Sequence, residues 1–235
     1  INNEPSNLGI STQTVQYGDT ILWYEGMTQN HFRAPERWQD LDNPAGSGTP
    51  ISSAAELLAL ANARDEETLA GSYYLTQDID LSEVENFPGI GSASAPFTGT
   101  FDGDNRTISN LTMNGETNVG LFRVIFGGTV KNLKLTNVNV TGEENVGAAV
   151  GWARAQLGTD SMAGNIAGLV GNIHVTGSVT GESRTGGVIG LNGADGNEHF
   201  SVANPVDNCS FDGIVTGGAA TGGIAGQNDG AITFC

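Results

Sequence analysis

The feature that most constrains this chain is a recurring Asn-apolar dipeptide, each copy trailed by a glycine motif. Ile108-Ser-Asn110-Leu111 aligns with Val130-Lys-Asn132-Leu133, Val170-Gly-Asn172-Ile173, Val206-Asp-Asn208-Cys209 and Ile232-Thr-Phe234-Cys235. A short polar-apolar strand, a glycine turn and a second motif follow each of the first four. Those motifs are Asn118-Val-Gly-Leu-Phe122, Asn145-Val-Gly-Ala-Ala-Val-Gly151, Thr185-Gly-Gly-Val-Ile-Gly190 and Thr221-Gly-Gly-Ile-Ala-Gly226. The dipeptides are spaced 22, 40, 36 and 26 residues apart. A unit of roughly 22–26 residues with two insertions accounts for the series. The insertions are expected near Trp152–Gly164 and Leu191–Asn204, which are rich in Gly, Asp, Asn and Ser.

A fixed period in this range means stacked repeats. Val138 with Val140 and Val175 with Val179 sit at strand spacing, Ile214-Val215 adds a β-branched pair, and helix-length apolar faces are absent. Of 35 glycines, 27 lie from Gly99 onward, and each would cost about 1 kcal/mol in a helix relative to Ala. The expected fold is therefore all-β: a parallel β-helix (β-solenoid), with coils stacked at about 4.8 Å. Leu111, Leu133, Ile173, Cys209 and Cys235 should form an inward apolar ladder. Asn110, Asn132, Asn172 and Asn208 should form an amide ladder. The last coil carries Phe234 where the ladder calls for Asn and stops partway. It is expected to be either a truncation or a surface that further protein covers.

Six of the seven prolines precede residue 97, so the architecture should change there. Residues 1–50 form an N-terminal extension of unclear fold, with a short strand at Thr20-Ile-Leu-Trp-Tyr24 and a loop over Asn43–Pro50. Trp23, Tyr24, Phe32 and Trp38 could stack on sugars; the plainer reading is that they cover the open end of the next element. Residues 51–97 form a helix-plus-strand lead-in cap. Ser52 or Ser53 caps a short N-terminal helix over 54–63, with Glu56 placed for a capping box and Leu57, Leu60 and Ala61 on one face. Tyr73, Leu75, Ile79 and Leu81 then alternate as one face of a strand. Residues 98–235 are the β-helical repeats, the last coil incomplete.

The net charge of −17, from 9 basic and 26 acidic residues, excludes the basic footprint that nucleic acid or an anionic membrane requires. No apolar run approaches the ~20 residues of a membrane span, so no membrane insertion is expected. The chain opens at Ile1 with no signal-peptide pattern, as a processed chain or an excised segment would.

Taken together, these motifs resemble the GLUG-motif repeat family of bacterial surface and secreted proteins, named for a Gly-Leu-apolar-Gly signature. Gly120-Leu-Phe122, Gly187-Val-Ile-Gly190 and Gly223-Ile-Ala-Gly226 look like variants of it, and Gly168-Leu-Val-Gly171 is a literal match at an Asn-apolar position. The segment from Ile51 through Leu75-Thr-Gln-Asp-Ile-Asp-Leu81 to Phe97-Thr-Gly-Thr-Phe-Asp-Gly103 looks like the usual lead-in to such repeats. The resemblance spans about 51–235. It implies an extracellular or cell-surface location, since these repeats occur in adhesins and beside IgA-specific metallopeptidase domains.

Catalytic chemistry finds little support. The His-Glu-x-x-His of a zinc peptidase is absent, with His31, His174 and His199 scattered. Asp102 and Asp104, with Asn105, and the pair Asp78 and Asp80 are weak calcium candidates. Tight-turn chemistry already explains Asp102-Gly-Asp-Asn105. No other cofactor is indicated. Cys209 and Cys235 fall at one inward position on adjacent coils, as buried thiols or a disulfide. Four Asn-x-Ser/Thr sequons, at Asn105, Asn110, Asn139 and Asn208, read as turn and ladder chemistry rather than glycan sites.

The reading that follows is a noncatalytic extracellular surface module: an adhesin-like stalk, or a binder of a host or environmental glycan or protein. Trp152, Arg154 and the 191–204 loop are the expected contacts, with Trp23 and Trp38 as further candidates. One alternative is a subunit that polymerises end to end through the open C-terminal coil. Another is a β-helix polysaccharide lyase or hydrolase, for which Lys131, Lys134, Arg154 and Arg184 are sparse.

Overall fold

The computed structural model describes residues 10–14, 20–24, 48–156, 168–194 and 201–235. The chain divides into two units, Ile1–Asp40 and Leu41–Cys235. In the first, Ile10–Thr14 and Thr20–Tyr24 form an antiparallel hairpin with Ser11 opposite Trp23. Trp38 lies outside the described residues.

The second unit is all-β and β-helix-like. Three parallel sheets are each built one strand per turn of chain. The first sheet runs from Thr49–Ile51 through Ser72–Leu75, Thr100–Asp102, Thr129–Thr141 and Val170–Thr180 to Val206–Asp207 and Ile232–Thr233. Thr117–Val119, Glu144–Gly147, Ser183–Gly186 and Ala219–Gly222 make the second. The third stacks Phe122–Phe126, Val150–Gln156, Ile189–Asn192 and Ala225–Asn228. The chain visits the sheets in this order and then pairs with its own previous turn. Inward rows fill the interior: Phe101, Val130, Val170 and Val206 form one, and Ile108, Leu135 and Val175 another, all at most 1% exposed.

The change of architecture expected at residue 97 is not a break. Ser72–Leu75 and Ile79–Asp80 pair with the next turn, and bridges tie Ile90 to Phe122 and Phe97 to Ile125. Tyr73, Leu75, Ile79 and Leu81 are all buried as the alternation required, but on two strands rather than one, with Leu81 just past the second.

Helix α1 (Ala54–Ala61) is capped by Ser53, whose hydroxyl accepts from the Glu56 N–H at 3.2 Å. The Glu56 carboxylate reaches back to the Ser52 N–H at 2.6 Å, one residue earlier than a standard capping box. Leu57, Leu60 and Ala61 join the main core, as does Leu69 of α2 (Glu66–Leu69), a short helix the sequence reading missed.

Left-handed corners carry the asparagines, because Asn tolerates positive φ better than other side-chain-bearing residues. Asn132, Asn172 and Asn208 all have φ between 50° and 55°. Asn172 Nδ2 donates to Asn132 Oδ1 at 2.8 Å, and Asn208 Nδ2 to Asn172 Oδ1 at 3.0 Å. Asn110 is not part of this ladder. It belongs to a second stack, in which Asn137 Nδ2 donates to Asn110 Oδ1 at 2.6 Å. Ile108-Ser-Asn-Leu111 therefore stacks under Leu135-Thr-Asn-Val138, and Leu111 sits one corner away from Leu133. The two registers look alike in sequence because both corners require the same Asn-apolar chemistry.

A third stack was not anticipated. Asn145 Nδ2 donates to Asn118 Oδ1 at 2.8 Å and Arg184 Nε to Asn145 Oδ1 at 2.6 Å, with Glu144 pairing the guanidinium. All three stacks have one polarity: each donor points to the preceding turn. The first two end on a carboxylate there. Asn110 Nδ2 donates to Asp80 Oδ1 at 2.7 Å, and Asn132 Nδ2 to Asp102 Oδ1 at 3.1 Å. A carboxylate suits that end because aligned amide dipoles leave it electropositive.

Candidate binding surface

Two turns are longer than their neighbours, and both carry the extra residues at one corner, after the third-sheet strand. One insertion leaves from Val150–Gln156, so Trp152 belongs to the strand rather than to the insertion. The other leaves after Ile189–Asn192, which pairs directly beside it.

Side chains at this corner lock the two insertion stems together. Asn192 and Asn204, both fully buried, exchange bonds: Asn192 Nδ2 donates to Asn204 O at 2.8 Å, and Asn204 N–H to Asn192 Oδ1 at 2.9 Å. Asn204 Oδ1 accepts from Gly168 N–H at 2.9 Å, where the chain returns from the first insertion. Ser201–Val202 then pairs antiparallel with Ala155 and Gln156. An unpaired buried amide group costs about 1–3 kcal/mol, which the exchange spares Asn192, while Asn204 Nδ2 is buried without a partner among the described residues.

Of the expected contacts, Trp152 and Arg154 lie on the strand that leads to this corner. Trp152 is only 6% exposed, packed with Val124 and Leu191, and its indole N–H donates to Gly193 O at 2.9 Å. Its ring edge is committed to the fold, so it supports the surface rather than presenting itself. The Arg154 guanidinium lies 4.4 Å from the Trp152 ring centroid and 4.9 Å from that of Phe126. Two aromatic faces thus fix one of the chain's nine basic residues at this corner, an arrangement worth about 0.5–2 kcal/mol. Sequence reasoning missed Phe126. Its signal was the shared register of Phe122-Arg-Val-Ile-Phe126 and Val150-Gly-Trp-Ala-Arg154. Trp23 lies on the hairpin strand of the other unit.

Three of the weak calcium candidates, Asp102, Asp78 and Asp80, already accept hydrogen bonds within the fold. Asp102 Oδ1 accepts from the Asp104 N–H at 2.8 Å and from Asn132, while Lys131 Nζ lies 3.5 Å from Oδ2 in a buried ion pair. Asp78 accepts from the Thr107 N–H and Asp80 from Ser82 and Asn110. Asn110 chiefly, then Ser82, holds the Asp80 carboxyl below the usual carboxylate range. No group of three or more His, Cys, Asp or Glu side chains suited to a metal ion occurs among the described residues.

Both cysteines are free thiols, Cys209 buried and Cys235 exposed. They occupy one position on adjacent turns, with the Cys209 N–H donating to Cys235 Sγ at 3.1 Å, but Cys235 is exposed rather than buried in the expected inward ladder. Burial pushes the Cys209 thiol up to about 12, so it is unreactive at neutral pH. Gly168-Leu-Val-Gly171 leads into a first-sheet strand, with Val170 beside Val130, so it is not a copy of the glycine corner.

No protein-family model matches the chain. Among curated proteins it is similar to halomucin of Haloquadratum walsbyi, 37% identical over 164 residues, which is 62% of this chain and 2% of halomucin. It is also similar to the immunoglobulin A1 protease of Streptococcus sanguinis, 32% identical over 146 residues, 60% of this chain and 7% of that protein. The chain thus corresponds to a small part of each. Among solved structures it superposes on an immunoglobulin A1 protease candidate from Bacteroides ovatus with a TM-score of 0.57. That match, at 21% identity, covers 78% of this chain and 62% of the other, and it bears on the fold. No helix among the described residues is long and apolar enough to cross a membrane.

Proposed function

We propose that this chain is a noncatalytic extracellular module, a β-solenoid of GLUG-like repeats that presents its insertion-bearing corner to a glycan or protein ligand. One observation carries the reading. Matches covering 62% and 60% of one chain must overlap, so one kind of segment occurs as a small fraction of two long proteins with different names. A segment reused in that way behaves as a module rather than as the seat of either protein's particular activity. Insertions gathered on one side of a repeat stack are the usual binding face of such folds. Arg154, held between Phe126 and Trp152, offers that face a cation with aromatic support.

Glycan and extracellular-protein arrays test this directly. Retention without turnover is expected, with Arg154→Ala weakening it about tenfold, the loss of one charge-assisted contact. Product release from a bound polysaccharide, or retention that Arg154→Ala leaves unchanged, overturns the reading.

A second reading, self-association through the last turn, has its own support. Ile214 is 67% exposed, Phe234 69% and Ile232 38%. Light scattering across a concentration series separates the outcomes: a monomer throughout removes this reading.

A further inference from the structure

The four sequons are not equivalent in the fold. Asn110-Leu-Thr112 and Asn208-Cys-Ser210 have their amide nitrogens inside the stacks, donating to Asp80 and Asn172. Asn105-Arg-Thr107 lies in the turn after Asp102 with φ 59°, and its Oδ1 accepts from Asn172 Nδ2 at 3.3 Å. The first two fit the ladder chemistry expected of them, and Asn105 fits the turn chemistry through its left-handed backbone, although its own amide nitrogen donates to none of the described residues. Asn139-Val-Thr141 fits neither. Asn139 sits within the strand Thr129–Thr141, on the outer side of the first sheet between buried Val138 and Val140. It is exposed and makes neither a left-handed corner nor a stack. Its Oδ1 accepts one long bond, from Ser178 Oγ at 3.5 Å, and its Nδ2 donates to none of the described residues. Thr141, two residues on, projects from the same side of the strand and is half-buried.

We infer that Asn139 is the acceptor of an N-linked glycan, on a sequon that the folded turn leaves reachable and does not need for its own hydrogen bonding. The inference rests on the extracellular reading above, because such transfer belongs to secreted chains. The donor class is a lipid-diphosphate-linked oligosaccharide. Asn139 Nδ2 forms a bond to the anomeric carbon as the bond from that carbon to the diphosphate oxygen breaks. The lipid diphosphate leaves, and the amide gives up one proton to the transferase. A glycan at Asn110 or Asn208 would have to share its nitrogen with a stacked amide bond, so those sequons are expected to stay bare. Asn139 lies on the first sheet and Arg154 on the third, so modification and ligand contact occupy different faces.

Mass-spectrometric peptide mapping tests this on the chain recovered from its source cells and on the same chain secreted by an N-glycosylating host. The expected result is a glycopeptide spanning Asn139, converted to Asp by peptide N-glycosidase. Asn139→Gln should lose that glycoform with an unchanged melting temperature. Asn208→Gln should keep the Asn139 glycoform and melt lower. A bare Asn139 in both samples, or equal occupancy at Asn110 or Asn208, overturns the inference. Fractionating the source cells keeps the two claims apart. A chain that is outside the cell but bare defeats only the glycan, whereas a chain retained in the cytoplasm defeats the extracellular reading beneath it.

Discussion

The turn from Val170 to Asn192 and the turn from Val206 to Asn228 carry nearly one motif, Arg184-Thr-Gly-Gly-Val-Ile-Gly190 against Ala220-Thr-Gly-Gly-Ile-Ala-Gly226. In the first, Thr185 through Gly190 are buried and Val188 and Ile189 are fully enclosed. In the second, Ile224 and Ala225 are half-buried, Thr221 and Gly223 exposed. A Cβ at Gly187 would meet the backbone of Gly223 and the Phe211 ring, whereas one at Gly223 would meet nothing within 4 Å. Burial in a stacked fold thus belongs to a turn and both its neighbours, not to its own sequence. The polar stacks show the same contrast. Asn172 bonds on both sides. The Asn208 side chain bonds only to the turn before it, because Phe234 occupies the next corner, with φ 53°.

The sharpest way to break this comparison is steric. A side chain at Gly187 would collide with the backbone of Gly223 one turn on and with the Phe211 ring. Gly187→Val should cost about 4 kcal/mol or more, the range of severe core disruption, while Gly223→Val at the equivalent position should stay within about 0.5 kcal/mol. Urea midpoints of the two variants compare them directly, and equal losses would refute the contrast. Next is the polar stack. Asn172→Ala removes two amide bonds and puts Ala at φ 52°, for about 3 kcal/mol in all. Asn172→Gly relieves the backbone part alone and should recover about 1 kcal/mol of that loss in the same titration.

A gain should come from giving the last turn what the middle turns have. Phe234→Asn places an amide over Asn208 and relieves a bulky residue in the left-handed region, so it should stabilise by about 1 kcal/mol and raise the thermal midpoint. The smallest effect concerns the acidic end of the second stack. Asp80 has a folded pKa below its unfolded one, chiefly through Asn110. Its contribution is therefore present above the unfolded carboxylate pKa of about 3.9 and is lost as pH falls through the lower folded value. Between neutral pH and acid, Asp80→Asn should flatten the fall of the melting temperature; an unaltered slope would remove Asp80 from the account.

Much of this architecture was legible in the residues. Glycine density, β-branched pairs and Asn-apolar dipeptides led to parallel stacked turns, and Ser53 with Glu56 to the helix start. The register was legible only after the first corner. Asn132, Asn172 and Asn208 align as expected, but Asn110 slipped to the wrong corner because two corners per turn demand the same left-handed Asn. The candidate site was partly legible: Trp152 and Arg154 lie on the strand beside Ile189–Asn192, from which the second insertion leaves. Their roles were not, because an indole reads the same in sequence whether it faces solvent or bonds to Gly193 O.

By itself, then, the sequence determined that the chain makes short strands joined by left-handed corners, since left-handed tolerance and β-branching are local properties of Asn, Gly, Val and Ile. Only the tertiary structure decided which asparagines stack, which aromatic is buried and which sequon stays open. Those outcomes depend on the side chain one turn above or below, 26 to 40 residues away in sequence, and no local pattern encodes that neighbour.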